Sequence, residues 1–123
     1  MSHPNFFILY VDDPLASARF YSALLGQEPV EASATFAMFA LASGVMLGLW
    51  SRHTVEPRAA APAGSGEVAM ALDSDAGVDS THADWLARGL PILQAPVRLD
   101  FGYTFVALDP DGHRLRVFAP AAP

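Results

Sequence analysis

The chain has 123 residues, a formal net charge of −6 and an apolar fraction of 52%. This length predicts a single domain with a sizeable core. The few basic residues are scattered, and the sequence contains no cysteine, so nucleic-acid binding, disulfides and thiolate chemistry are not expected. Residues 1–5 lack the positive start of a signal peptide, and we therefore expect a cytoplasmic protein.

The first half of the chain predicts a strand, a helix and three more strands. Residues 5–11 are apolar and rich in aromatic and branched side chains, as in a buried strand. Asp13 and Pro14 match a helix N-cap and first helical position, and Gly26 fits the helix end. A weak edge strand over 29–34 and strands over 36–41 and 45–50 follow.

The segment 32–51 contains no charged residue and is long enough to cross a bilayer. Ser43 and Gly44 interrupt it with a turn signal. We therefore interpret the segment as two short strands around a turn, and we expect no membrane contact.

The second half repeats this layout after a linker over residues 52–65, which contains Pro57 and Gly64. A strand over 67–72, a helix over 75–88 that ends at Gly89, and strands over 92–97, 103–108 and 114–118 are predicted. The four histidines are expected to be solvent-exposed. The buried side of the second helix is expected to consist of Val78, Trp85 and Leu86.

Together these elements predict an α+β fold built from two βαβββ modules, residues 4–51 and 66–120, within one domain of residues 1–123. The duplication lies in the layout rather than in the residues. We expect the modules to form a curved mixed sheet around a cleft, with both helices outside.

The last two strands are joined by Asp109-Pro110-Asp111-Gly112. Proline sets φ at the second turn position, Asp109 can accept hydrogen bonds from its own turn, and Gly112 relieves the exit. This turn is a specific signal for a hairpin.

Three motifs and their order along the chain resemble the vicinal oxygen chelate superfamily, which includes glyoxalases, extradiol dioxygenases and bleomycin-binding resistance proteins. They are residues 11–14, the pair Phe20-Tyr21 with Leu25-Gly26, and the turn at 109–112. The resemblance covers nearly the whole chain and implies the cleft-forming fold described above.

Enzymes of this superfamily bind a metal through four strand positions, which the resemblance places at Phe6, Gly48, Glu67 and Arg116. Only Glu67 offers a donor for a divalent cation, because a phenyl ring, a glycine and a guanidinium have none. A catalytic zinc needs about three protein ligands. We therefore predict no metal, no cofactor and no catalytic residue.

A closer resemblance is to the metal-free binding proteins of the phenazine-resistance type, carried by residues 36–39, 46–51 and 101–105. It implies a homodimer that holds a flat aromatic antibiotic by stacking, with Trp50 as the stacking platform. Strand alternation independently favours one set of cleft-facing side chains. The predicted ligand-binding residues are Phe6, Tyr10, Met46, Gly48, Trp50, Glu67, Tyr103, Arg116 and Phe118.

Two structural alternatives stay open from the residues alone. Trp50 can be a plain core residue, and Glu67 with Arg116 can be an ion pair without a ligand role. We predict metal-free binding and sequestration of a planar aromatic small molecule, a role that fits antibiotic resistance. The alternatives are a metal-dependent lyase, isomerase or dioxygenase of the superfamily, and an interaction domain with a vestigial cleft.

Overall fold

The structure is a computed structural model that describes residues 3–122. It contains two helices, α1 (Pro14–Leu25) and α2 (Asp75–Ala87). Four strands belong to the first half, namely β1 (Phe6–Val11), β2 (Glu31–Ala32), β3 (Phe36–Ala40) and β4 (Met46–Ser51). Four belong to the second half, namely β5 (Glu67–Ala71), β6 (Ile92–Leu99), β7 (Gly102–Leu108) and β8 (Arg114–Pro120). The predicted α+β class and the βαβββ order of both modules are confirmed.

The chain divides into two compact units, residues 1–61 and 62–123. The boundary falls inside the predicted linker. That the two units form a single domain stays a prediction.

In the first unit the strands are ordered β1-β4-β3-β2, with β1 parallel to β4 and the other pairs antiparallel. Helix α1 packs on β3 and β4. The alternating side chains that point towards α1 form the core, and they include Ala37, Phe39, Leu47 and Leu49. The opposite side of the sheet is therefore available for other contacts.

The ends of α1 follow the sequence signals. The Asp13 carboxylate accepts hydrogen bonds from the backbone N–H of Leu15 at 3.1 Å and of Ala16 at 3.2 Å. Gly26 ends the helix with a φ of 68°, which a side chain would disfavour, and its N–H donates to the carbonyl of Ser22. Both predicted caps are confirmed.

The uncharged segment 32–51 forms β3 and β4, which are joined by a turn through Gly44 at a φ of 89°. The strand-turn-strand interpretation is confirmed. Neither helix among residues 3–122 is long and apolar enough to cross a membrane.

In the second unit the strands are ordered β5-β8-β7-β6, with β5 parallel to β8. Helix α2 packs on β6, β7 and β8. The core between the helix and the sheet contains Val78, Trp85, Phe105, Leu115 and Val117. The two units thus repeat the same arrangement of one helix on one mixed sheet.

The buried side of α2 differs from the prediction at Leu86, which is 56% exposed. A helix turns by about 100° per residue, so Leu86 points away from its buried neighbour Trp85. His82 takes the inner position instead, and its ring meets the Phe105 ring edge-on at a centroid distance of 5.2 Å. His82 is therefore half-buried rather than fully solvent-exposed as expected, because its ring packs against Phe105.

The hairpin between β7 and β8 has the predicted turn. Asp109 is only 4% exposed, and its Oδ1 accepts from the backbone N–H of Asp111 at 2.9 Å and of His113 at 2.8 Å. Gly112 adopts a φ of 86° and donates its N–H to the Asp109 carbonyl. Asp109 therefore fixes the turn from inside.

Candidate ligand-binding surfaces

The first candidate surface is the side of the first-unit sheet that points away from α1, here named the aromatic face. Strand pairing places its members next to each other, with Ile8 opposite Gly48 and Tyr10 opposite Trp50. The residues that alternation brings to this face include Phe6, Ile8, Tyr10, Phe36, Met38, Met46, Gly48 and Trp50. The face is accessible, because Phe6, Ile8 and Tyr10 are each more than two-fifths exposed.

Trp50 is half-buried on the aromatic face and lies on the side opposite the core under α1. The ring of Phe36, its partner across β3 and β4, meets it edge-on with a centroid distance of 6.2 Å and an interplanar angle of 89°. Edge-to-face contact of this kind holds an indole in one orientation. Trp50 therefore offers a fixed aromatic surface rather than filling the main core.

Gly48 is buried beneath two rings. A Cβ at this position would come within 2.9 Å of Phe6 Cε1 and 3.0 Å of Phe36 Cζ. The space above Gly48 is thus filled by these rings of the same unit. A ligand on this face would meet Phe6 and Phe36, and the glycine lets them lie close to the sheet.

The second candidate surface, here named the Arg116 cluster, consists of Glu67, Phe101, Thr104, Arg116 and Phe118. Arg116 donates from Nε to Glu67 Oε1 at 2.8 Å and from Nη2 to Glu67 Oε2 at 2.9 Å. It also donates from Nη1 to the hydroxyl of Thr104 at 3.1 Å. The predicted contact between Glu67 and Arg116 is confirmed, and its geometry is bidentate.

Aromatic rings complete this cluster. The guanidinium of Arg116 lies over the Phe101 ring, 5.6 Å from its centroid, and Phe101 meets Phe118 edge-on at 5.8 Å. Phe101 is 45% exposed. The cluster therefore combines an accessible aromatic ring with a charged pair that the second unit builds by itself.

The electrostatics of the pair are set by Arg116. Its hydrogen bonds are the largest effect and lower the pKa of the Glu67 carboxyl below the ordinary value of 4.5. Burial opposes this shift, and the charges of Arg116 and Arg114 add to it. Glu67 is therefore ionised at neutral pH, and the pair carries one negative and one positive charge.

Tyr103 is not brought together with Arg116 and Phe118. It lies opposite Ala119 in the pairing of β7 with β8, whereas Phe118 lies opposite Thr104, so Tyr103 points to the side of the sheet that α2 covers. Its hydroxyl donates to Asp79 of α2 at 2.7 Å. A ligand contact by Tyr103 stays a prediction, at a place separate from the Arg116 cluster.

Five contributors were absent from the predicted residue set, namely Ile8, Phe36, Met38, Phe101 and Thr104. Phe36 joins the aromatic face through the pairing of β3 with β4, and Thr104 is fully buried. Phe101 lies in the turn between β6 and β7, where strand alternation does not apply. The aromatic segments 36–39 and 101–105 were the signal for two of them.

The positions at which the resemblance places metal ligands do not offer a suitable set of donors. Phe6 and Gly48 have no donor atom, and both carboxylate oxygens of Glu67 accept hydrogen bonds from Arg116. Within residues 3–122, no three or more side chains of the His, Cys, Asp and Glu types are grouped as a metal would require.

A separate groove of about 500 Å³ lies in the predicted linker and contains none of the predicted site residues. His53 at its wall makes a 2.7 Å hydrogen bond between its Nε2 and Asp12 Oδ1, while its side chain stays 63% exposed. The groove is lined by Arg52, His53, Thr54, Val55, Glu56, Arg58 and Ala59.

Comparison with known proteins agrees with this architecture. The phenazine antibiotic resistance protein EhpR of Enterobacter agglomerans is 30% identical over 117 residues, which cover 93% of this chain and 89% of that protein. A protein of Agrobacterium tumefaciens solved by NMR has a TM-score of 0.91 and 59% identity, covering 99% of this chain and 100% of its own.

A glyoxalase/bleomycin resistance protein/dioxygenase from Nocardioides has a TM-score of 0.78 and 28% identity, covering 98% of this chain and 85% of its own. The family model for the glyoxalase/bleomycin resistance protein/dioxygenase superfamily matches residues 3–117. That match spans both units and all but the last residues of β8. The chain belongs to the glyoxalase/bleomycin resistance protein/dioxygenase superfamily.

Proposed function

We propose that this chain binds and sequesters a planar aromatic small molecule, and that sequestration protects the cell from an aromatic antibiotic. The observation that carries the proposal is the accessible aromatic face, on which Phe36 holds Trp50 edge-on. The relative whose name describes phenazine antibiotic resistance supports the class of ligand.

The aromatic face is suited to a flat ligand for a physical reason. Phe6, Tyr10 and Trp50 present ring surface on one side of a sheet, and Phe36 limits the movement of the indole. Stacking contributes about 0.5–1.5 kcal/mol per aromatic pair beyond the burial of apolar area. A preorganised platform also loses little side-chain entropy when a ligand binds.

Calorimetric titration with a panel of planar aromatic compounds, phenazine among them, tests the proposal. We expect measurable binding and a clear loss of affinity in Trp50→Ala. Phe6→Ala and Phe7→Ala form a matched pair, because the two exposed phenylalanines are neighbours on β1 but point to opposite sides of the sheet. Phe6→Ala should weaken binding and Phe7→Ala should not.

Two results would contradict the proposal. The absence of binding across the panel would remove the function, and equal affinities of wild type and Trp50→Ala would remove the stacking role of Trp50.

We propose further that binding requires no divalent metal, because three of the four expected ligand positions have no suitable donor atom. Affinity should be unchanged by chelator treatment followed by addition of Mn²⁺, Ni²⁺, Zn²⁺ or Fe²⁺. A metal-dependent change in affinity, or turnover that appears only with metal, would favour the enzymatic alternative.

We propose that the chain acts as a homodimer. Strand β1 is an edge strand of its sheet and exposes Phe6, Phe7, Ile8 and Tyr10, each by 41% or more. Exposed apolar edge strands are normally covered. Sedimentation velocity should show twice the monomer mass, and a monomer at all concentrations would contradict the proposal.

A further inference from the structure

We infer that the Arg116 cluster selects neutral planar ligands whose substituent has adjacent hydrogen-bond donor and acceptor groups, such as a primary carboxamide, over the corresponding carboxylates. The inference rests on the proposed function, because it concerns a planar aromatic ligand, for which the exposed Phe101 ring of the same cluster offers a stacking surface. It follows from how the hydrogen-bonding capacity and charge of Arg116 are used within the second unit.

Arg116 and Glu67 both have hydrogen-bonding groups that their contact with each other does not use. A guanidinium has five N–H groups, and here three are used, two by Glu67 and one by Thr104. The Glu67 carboxylate has about four acceptor positions and uses two of them for Arg116. Two N–H groups of Arg116 and about two acceptor positions of Glu67 therefore remain, on side chains that are hydrogen-bonded to each other.

The pair of Arg116 and Glu67 is partly accessible. The side chains of Arg116 and Glu67 are 17% and 30% exposed. The pair is therefore partly withdrawn from water but open to a ligand. A primary carboxamide matches it, because its carbonyl accepts from the guanidinium and its NH₂ donates to the carboxylate.

The negative charge of Glu67 disfavours a ligand carboxylate at this pair. A ligand carboxylate that accepted from Arg116 would lie next to the ionised Glu67, and the repulsion would offset most of the attraction. Arg114 is the other cation nearby, since it pairs with Glu67 in the strand register, but its side chain is exposed and screened by water. A neutral ligand avoids this repulsion.

Arg116 is held in place by its neighbours, so that a ligand carboxylate does not simply displace Glu67. Thr104 is fully buried, and its hydroxyl donates to the carbonyl of Val117 at 2.9 Å while it accepts from Arg116. The Phe101 ring covers one side of the guanidinium. Displacing Glu67 from a partly buried bidentate pair would leave its charge without a partner.

The test compares phenazine-1-carboxamide with phenazine-1-carboxylate at neutral pH by calorimetric titration of the wild-type protein. We expect the carboxamide to bind about fivefold more tightly, the size of effect that one partly exposed ion pair produces. This comparison needs no variant and therefore does not depend on the folding of a mutant.

Glu67→Gln supplies the second measurement, because it keeps the shape of the side chain and removes its charge. We expect the carboxylate to bind about fivefold more tightly to this variant than to wild type, since Arg116 is then free of its anion. Arg114→Gln is the matched control on the neighbouring position of β8, and it should change the ratio of the two affinities by less than about threefold.

The outcomes are distinguishable. A carboxylate that binds wild type as tightly as the carboxamide, or more tightly, overturns the inference and leaves the proposed function in place. A ratio unchanged in Glu67→Gln also overturns it, because the selectivity would then not come from Glu67. If neither probe binds wild type but another planar compound of the panel does, the inference is overturned and the proposed function stands. If no compound of the panel binds, both are overturned.

Discussion

The ring of Phe6 lies above Gly48, so close that a Cβ on residue 48 would come within 2.9 Å of Phe6 Cε1. Phe6 is paired with Met46, so it reaches diagonally to the residue two positions further along β4. Glu67 does the same in the second unit, since it is paired with Arg114 and bonded to Arg116. The same diagonal contact between paired parallel strands thus places a ring over a glycine in the first unit and forms an ion pair in the second.

Substitution of Gly48 should therefore be costly because of Phe6. We expect Gly48→Val to lower the free energy of unfolding by about 1–3 kcal/mol, since the added methyl groups overpack the space under the ring. The same substitution should cost less in a Phe6→Ala background, which removes the ring. Urea denaturation of the four proteins measures both effects, and equal costs in the two backgrounds would show that Phe6 is not the obstacle.

Asp109 should be important for stability, because it is buried and its Oδ1 accepts two backbone hydrogen bonds. We expect Asp109→Ala to lower the free energy of unfolding by about 1–3 kcal/mol, since two N–H groups lose their acceptor. Asp109→Asn retains an acceptor oxygen and should lose clearly less. Similar losses in both variants would mean that the charge rather than the turn hydrogen bonds matters.

The pair of Glu67 and Arg116 should make stability depend on pH in the acid range. The pKa of Glu67 is lower in the folded protein than its ordinary value of 4.5. The ionised pair therefore contributes fully above that value, and its contribution is lost as the pH falls through the lowered pKa. The stability difference between wild type and Glu67→Gln should be constant near neutral pH and shrink below about pH 4.5.

Thermal unfolding of both proteins at several pH values measures that difference. A difference that grew with falling pH would contradict the assignment, because it would require a raised pKa of Glu67.

Tyr103 should ionise at a higher pH than an ordinary tyrosine. Its hydrogen bond to Asp79, followed by burial and the negative charges of Asp79 and Asp75, raises its pKa above 10.0, although Arg98 lies over its ring and opposes the shift. Absorbance titration of the phenolate, with Tyr103→Phe subtracted, should give a lower pKa in Asp79→Asn than in wild type. An unchanged midpoint would show that Asp79 does not hold the hydroxyl in solution.

Sequence patterns predicted the local features of this fold well. Asp13, Gly26 and the turn at Asp109 act through atoms a few residues away, and their contacts follow from residue type and spacing. The ion pair of Glu67 and Arg116 was one of the alternatives open from the residues, and the pairing of β5 with β8 brings the two side chains together.

The remaining features depend on strand order and register, which the sequence alone does not specify. Phe36 contacts Trp50 only because β3 lies beside β4, and Tyr103 is separated from Phe118 by the register of β7 and β8. His82 replaces Leu86 on the inner side of α2 because the buried stripe is set by Val78 and Trp85 and not by hydrophobicity at each position.

Each unit contains one tryptophan in a different setting. Trp85 is 5% exposed and meets Phe105 edge-on at 5.4 Å in the core of the second unit, whereas Trp50 is half-buried on the aromatic face of the first. Single-tryptophan variants, Trp50→Phe and Trp85→Phe, therefore give a separate fluorescent reporter for each half of the chain. Coincident denaturation curves from the two reporters would indicate one cooperative unfolding transition, and displaced curves would give the stability of each half.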